Sequence, residues 1–208
     1  MPLARLEETI ELLRGLGHEV RVAPSPEQVE RFNEEAWPVI SATGLAALLL
    51  PFAQREGESA TEAQLMPAMA AMWRFGRALK ATDLFAAQQR VAEVRAVMHT
   101  VFEHYDLLLT PAAAALPWPA EDTHPARIAG QPVGPRGHAV FTAFVNACGL
   151  PAFALPVRAS EEGLPIGMQL VGRAGEDDAL CELALQCEEA LALPRRWPLV
   201  PQEIGVCA

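Results

Sequence analysis

The candidate nucleophiles of this chain are four serines and four cysteines. No serine lies in a Gly-x-Ser-x-Gly turn or another glycine-rich turn that would expose it above a sheet; the serines are Ser25, Ser41, Ser59 and Ser160. Serines in turns and polar loops commonly bond to nearby backbone instead. Lys80 is the only lysine, and no pair of serines accompanies it. The serines therefore indicate no self-contained hydrolytic site.

Cys148 is a more attractive nucleophile, because His138 lies nearby in the sequence. A thiolate is stabilised at the N-terminus of a helix, whereas Cys148 ends the short helix predicted over 138–148. We interpret it as a structural cysteine, and a thiol hydrolase stays an alternative. The remaining cysteines, at 181, 187 and 207, have no Cys-x-x-Cys or paired-histidine spacing. We expect no metal, no cofactor and no disulfide scaffold.

Composition and charge exclude several function classes. The chain is 51% hydrophobic and 20% charged, which is typical of a folded protein rather than a disordered one. Its formal charge is −10 and its basic residues are scattered, so we expect no nucleic acid partner. The longest apolar run, Gly44–Phe52, is shorter than the ~20 residues that cross a bilayer. The first residues include acids where a signal peptide is basic, so we expect a cytoplasmic protein without a membrane span.

Hydrophobic periodicity predicts an α/β fold in a single, incomplete domain over residues 1–208. Residues 1–104 are mainly helical, with one short strand at His18–Val22 and a polar loop at Gln54–Ala60. Residues 105–208 contain the other strands, predicted at Tyr105–Thr110, Ala152–Val157 and Ile166–Val171, a long surface loop over 117–135 and a closing helix. The pattern predicts a partial mixed sheet of about four strands, covered by helices.

Several of these segments, in this order, resemble the amidase signature family. They are Tyr105–Pro111, Phe141–Asn146, Gly149–Ala152, Leu155–Pro156 and Gly163–Gly172. The last of them, GLPIGMQLVG, is the most specific, and the helices before residue 104 are similar in order to the family's middle region. The resemblance covers nearly the whole chain and places it in the carboxyl-terminal half of the family's fold.

The resemblance implies an amide hydrolase with a large mixed sheet covered by helices on both sides. It implies catalysis by a nucleophilic serine, a second serine in a cis peptide and a lysine base, all in the family's amino-terminal half. Because Lys80 has no serine pair beside it, we assign no catalytic residue to this chain. The resemblance also implies that the carboxyl-terminal half completes the sheet and forms one wall of the substrate pocket.

Four residues of that wall are candidate substrate-binding residues. Thr110 and Pro111 end a predicted strand at its carboxyl edge, where α/β sheets place ligands. Thr142 and Asn146 are one helical turn apart, so they share a face, and we expect them to point towards the same pocket. Asn146 either positions substrate or bonds to backbone carbonyls at a helix end, and both interpretations stay open.

The favoured hypothesis is the carboxyl-terminal portion of an amidase signature hydrolase, inactive by itself. Its partners are then the missing amino-terminal half, or a catalytic chain, and a small amide substrate. The alternative is a non-catalytic binding or structural subunit, a degenerate amidase that pairs with a catalytic chain. In either case an incomplete sheet leaves an unpaired strand edge and apolar surface, so we expect self-association of the isolated chain.

Overall fold

The structure, a computed structural model, describes residues 2–194. Helices come first along the chain: α1 (Pro2–Gly15), α2 (Glu27–Arg31), α3 (Trp37–Glu56), α4 (Glu58–Ala63), α5 (Pro67–Ala78) and α6 (Ala81–His104). The strands and two further helices follow: β1 (Leu107–Pro111), β2 (Arg127–Ile128), β3 (Gln131–Pro132), α7 (Ala143–Cys148), β4 (Ala152–Val157), β5 (Ile166–Gly172) and α8 (Asp177–Leu191). The α/β fold class predicted from the sequence is confirmed.

Strands β1, β5 and β4 form the main sheet, with β5 in the centre. Both pairings are antiparallel, and Gln169 of β5 lies opposite Thr110 on one side and Ala154 on the other. The sequence predicts about four strands and a mixed sheet. Among the described residues this sheet has three strands, because the segment predicted as the first strand pairs with no neighbour. It contains no parallel pair, so the sheet of the described residues is antiparallel and not mixed. Strands β2 and β3 form a separate short pair within the long loop.

The two faces of β5 are packed differently. Met168 and Leu170 belong to an apolar cluster with side chains of α1 and α8. Val171 belongs to a second cluster, with side chains of α6 and α7. Because side chains alternate along a strand, Gln169 lies on the same face as Val171. We call the side of Met168 and Leu170 the closed face, and the side of Gln169 and Val171 the amide face.

Helices α6 and α7 support the amide face. The second cluster includes four residues of α6 and three of α7: Ala87, Val94, Met98 and Phe102 of α6, and Ala143, Phe144 and Val145 of α7. At the end of α7, a guanidinium N–H of Arg95 donates to the carbonyl oxygen of Ala147 at 2.8 Å. A π-helical turn between α2 and α3, Phe32–Ala36, packs into the same cluster. The start of α7 is therefore held between α6, this π turn and the central strand.

A glycine allows helices α3 and α5 to cross closely. A Cβ atom on Gly76 would lie 2.0 Å from the carbonyl oxygen of Ala42, so a larger residue would force the helices apart. Trp73 is buried near this crossing, whereas Leu48, further along α3, is 75% exposed. The helical pair thus has a tight internal contact and an apolar outer surface.

The continuous helix from Glu27 to Glu56 is the one helix within residues 2–194 that is long and apolar enough to cross a bilayer. Only 11% of its most apolar window is buried. The short apolar run Gly44–Phe52 does not predict a helix of this length, because the helix begins before that run and ends after it. Length and composition alone are weak evidence for a membrane span.

Two local predictions from the sequence are wrong. His18–Val22 is not a strand, because no described strand lies beside it to complete its backbone hydrogen bonds. Gln54–Ala60 is not a loop: it lies in α3 and α4 and is interrupted only at Gly57, whose φ is +90°. Its glutamine, arginine and glutamate residues are good helix formers despite their polarity.

Candidate functional site

A buried glutamine connects the candidate residues. Gln169 is 6% exposed, and its Nε2 atom donates to Thr110 Oγ1 at 3.1 Å and to the carbonyl oxygen of Phe141 at 2.8 Å. These bonds join the end of β1 to the residues that precede α7. Gln169 is not among the candidate residues predicted from the sequence, although a polar residue within the apolar run Ile166–Val171 was a usable signal.

The two candidates on β1 lie on opposite faces of the sheet. Thr110 is half-buried on the amide face, opposite Gln169. Pro111 lies opposite Met168, so strand alternation places it on the closed face. The structure therefore brings Thr110 towards α7 and directs Pro111 away from it.

Thr142 and Asn146 lie one turn apart at the start of α7. The Thr142 hydroxyl donates to the carbonyl oxygen of Ala139 at 3.2 Å. Asn146 is exposed, and its Nδ2 atom donates to the carbonyl oxygen of Thr142 at 3.4 Å. This contact corresponds to the backbone-bonding interpretation of Asn146, and a role with substrate stays a prediction.

The helix that carries these residues is shorter than the sequence predicts. Instead of one helix over 138–148, a 3-10 turn covers Gly137–Ala139 and α7 begins only at Ala143. The break lies where side chains of other elements bond to the backbone: Asn33 Nδ2 donates to the carbonyl oxygen of Val140 at 3.0 Å. A carbonyl that accepts a hydrogen bond from another element does not accept one from the N–H four residues later in the helix. Tertiary contacts therefore shorten the helix.

His138 lies beside this break and has an unpaired ring nitrogen. Its ring is 4.7 Å from the ring of Trp118, and the N–H of Ala114 donates to its carbonyl oxygen at 2.9 Å. Burial first, and then the positive charge of Arg136, lower the pKa of His138 below its ordinary value of 6.5. Within residues 2–194, no hydrogen bond reaches its buried Nδ1 atom. The surroundings of His138 therefore disfavour the charged form of its imidazole.

Cys148 has the environment of a structural thiol. It is half-buried at the end of α7, and burial raises the pKa of its thiol, with the charge of Arg95 opposing that rise. No histidine of the described residues is hydrogen-bonded to it. A protonated thiol without a base is a poor nucleophile, which disfavours the thiol hydrolase.

The serines and the lysine are not combined into a catalytic arrangement. The Ser41 hydroxyl donates to the carbonyl oxygen of Pro38, and Ser160 Oγ accepts from the N–H of Leu164. Lys80 precedes α6. Its backbone N–H donates to the carboxylate of Asp83 at 2.8 Å. In the described part of the chain, no hydrogen bond links Lys80 to a serine, and no group of three His, Cys, Asp or Glu residues is placed to hold a metal.

The family model of the amidases matches residues 3–181 of this chain. The chain belongs to the amidase signature family. One curated relative, a glutamyl-tRNA(Gln) amidotransferase subunit from Rhizobium etli, is 32% identical over 115 residues, which are 52% of this chain and 23% of the relative. The chain thus matches less than a quarter of that relative's length.

Solved structures of amidases superpose on almost the whole chain. A 6-aminohexanoate cyclic dimer hydrolase complexed with substrate gives a TM-score of 0.79 at 25% identity, covering 95% of this chain and 43% of that one. A bacterial aryl acylamidase gives a TM-score of 0.79 at 21% identity, covering 91% and 40%, and shows the shared fold. This amidase chain therefore spans about two-fifths of the solved structures, and the family inferred from the sequence is confirmed.

Proposed function

We propose that this chain is the carboxyl-terminal portion of an amide hydrolase, where it supplies part of the sheet and one wall of the substrate pocket. The catalytic serines and lysine then come from an amino-terminal half or from a separate catalytic chain. In this proposal Thr110, Thr142 and Asn146 line the wall, and Pro111 ends the strand behind it. The chain alone does not hydrolyse amides, and the complete enzyme acts on a small amide without a cofactor.

One observation carries the proposal: the chain superposes over 95% of its length on only 43% of a hydrolase solved with its substrate. The described residues also lack a serine bonded to a lysine, as amide hydrolysis of this family's type would need. What they do contain is a half-buried polar wall, built on the amide face around Gln169. These features suit a supporting wall better than a complete active site.

The first test is turnover by the purified chain. We expect no release of nitroaniline from 4-nitroacetanilide, a simple chromogenic amide. Hydrolysis that survives replacement of all four serines by alanine would contradict the assignment, because the family's mechanism requires a serine nucleophile.

The second test uses the amino-terminal part of the 6-aminohexanoate cyclic dimer hydrolase. We would co-express that part with this chain, purify the complex and measure hydrolysis of the cyclic dimer. Activity in the complex, absent from either part alone, is the expected result. A complex carrying alanine at the hydrolase's own nucleophilic serine is the matched control and must be inactive.

A non-catalytic subunit is the second candidate, because the relative from Rhizobium etli is itself one subunit of an amidotransferase. The DNA upstream of the Met1 codon distinguishes the two. An in-frame stretch encoding glycine- and serine-rich sequence indicates a longer amidase, and a separate, complete gene indicates a subunit that pairs with a catalytic chain.

The proposal also places the protein in the cytoplasm, away from membranes and nucleic acids. Its formal charge of −10 disfavours binding to phosphate groups. Cell fractionation tests the location, and recovery with membranes would instead point to the exposed apolar helix Glu27–Glu56.

A further inference from the structure

The segment Ala139–Thr142, which leads into α7, has three consecutive carbonyl groups that each accept a hydrogen bond from a side chain. Ala139 accepts from the Thr142 hydroxyl at 3.2 Å, Val140 from Asn33 Nδ2 at 3.0 Å, and Phe141 from Gln169 Nε2 at 2.8 Å. Among the described residues, no backbone N–H donates to the carbonyls of Val140 and Phe141. Those two carbonyls therefore depend on the two side-chain amides.

The two amides come from distant parts of the fold. Asn33 is 107 residues before Val140 and lies in the π turn, whereas Gln169 is 28 residues after Phe141 and lies in the central strand. A π turn adds a residue to the helical ring and changes which side chains face a neighbour, and such turns are frequent at functional sites. Asn33 is half-buried between Phe32 and Ala36, both fully buried, so its side chain is directed by packing.

The bonds made by Gln169 also determine the direction of the Thr110 hydroxyl. Because Thr110 Oγ1 accepts from the amide of Gln169, its own proton points elsewhere, and no described residue accepts it. The Thr142 hydroxyl, in contrast, is already bonded to Ala139. On the amide face, Thr110 is therefore the threonine that keeps a free donor, and Gln169 sets its orientation.

We propose that Asn33 and Gln169 are positioning residues, which hold the 139–142 segment against the sheet and so fix the pocket wall formed by Thr110 and Thr142. This inference rests on the proposed function. Neither amide contacts substrate; each acts through the backbone carbonyl that it binds. A carbonyl of this half-buried segment loses its protein donor when either amide is removed, so we expect the segment to move.

The first measurement follows backbone amide hydrogen exchange in the full chain. Gln169→Met keeps the length of the side chain and removes both donors, and Asn33→Asp keeps the shape and replaces the donor by an acceptor. We expect exchange over residues 139–146 to become faster by on the order of tenfold in each variant. Gln186→Met makes the same chemical change at an exposed position on α8 and should leave this segment unchanged.

Asn33→Asp decides the question if Gln169→Met fails to fold, because Asn33 is only half-buried. A folded Asn33→Asp chain whose 139–146 exchange equals that of Gln186→Met would overturn the proposal. Faster exchange confined to this segment would support it.

The second measurement separates positioning from mere structural support. In the complex with the amino-terminal part of the hydrolase, we expect either variant to raise KM for the cyclic dimer about tenfold and to lower kcat less than about threefold. Faster exchange with an unchanged KM would overturn the positioning role. If the complex containing the unaltered chain is inactive, the proposed function fails, whereas the exchange rates still decide whether the two amides hold the segment.

Discussion

The two faces of strand β5 differ in what covers them. The closed face is apolar and mostly covered: Leu170 is 1% exposed and packs with side chains of α1 and α8 from the same chain, whereas Phe153 at its edge is 36% exposed. The amide face combines Val171, which α6 and α7 cover, with Gln169, which bonds to Thr110 and Phe141. Beside it, Ala152, Ala154 and Pro156 of β4 are exposed. The closed face therefore stabilises this chain, whereas the amide face is left exposed along β4.

The largest effect is expected on the closed face. Leu170→Ala should lower the free energy of unfolding by about 2–5 kcal/mol, because it removes a fully buried side chain and leaves a cavity. Urea denaturation followed by circular dichroism measures the change. Leu185→Ala on α8 is the matched control, since Leu185 is 59% exposed, and should cost far less. Equal losses in both variants would contradict a closed core on this side.

A smaller effect is expected from one bond on the amide face. Thr110→Val keeps the shape of the side chain and removes the oxygen that accepts from Gln169. We expect a loss of about 1 kcal/mol in the free energy of unfolding, the usual net value of one hydrogen bond. Thr110→Ser retains the oxygen and should preserve more of the stability. If Thr110→Val is as stable as Thr110→Ser in urea denaturation, the hydrogen bond to Gln169 contributes nothing to the free energy of unfolding.

The closed face should also make stability depend on pH at the alkaline end. Burial raises the pKa of the Cys187 thiol above its ordinary value of 9.0, so the folded state holds this proton more tightly than the unfolded state. The contribution of this thiol to the free energy of unfolding is complete below pH 9. It is lost as the pH rises through the pKa of the folded state. We expect Cys187→Ala to flatten the decline of the unfolding free energy as the pH rises above about 9. Cys181→Ala, at an exposed position of the same helix, should leave the slope unchanged.

The smallest change in stability is expected at the exposed edge of the sheet. Ala154→Lys on β4 should alter the free energy of unfolding by less than about 0.5 kcal/mol. It should, however, reduce self-association, because a charged side chain opposes pairing of two strand edges. Sedimentation at increasing concentration compares the two chains. An unaltered chain that stays a single monomeric species would contradict the self-association that we expect.

Local patterns predicted the strands that matter most for the sheet. Ala152–Val157 and Ile166–Gly172 are mostly apolar runs bounded by glycine, proline or polar turns, and both are strands at nearly the predicted bounds. The segment His18–Val22, whose polar and apolar residues alternate, was also predicted as a strand and is not one. The difference is the presence of a pairing partner, which no local pattern contains.

The candidate site was predicted less completely. Thr110 and Thr142 are both close to Gln169 or to the carbonyl that it binds, whereas Pro111 lies on the other face and Asn146 is exposed. Their roles with substrate stay predictions. Asn33 was missed, because a single asparagine in a predicted helix gives no sign that a π turn will direct it to Val140.

By itself, the amino-acid sequence determined the α/β class and the apolar segments that form the closed face, because these depend on residue type and periodicity along the chain. It determined the family through the resemblance of its motifs and of their order. Only the tertiary structure decided the amide face. Its contacts join Asn33 to Val140 and Gln169 to Phe141 across 107 and 28 residues, and hydrogen bonds between such distant groups exist only after the helices and strands have packed.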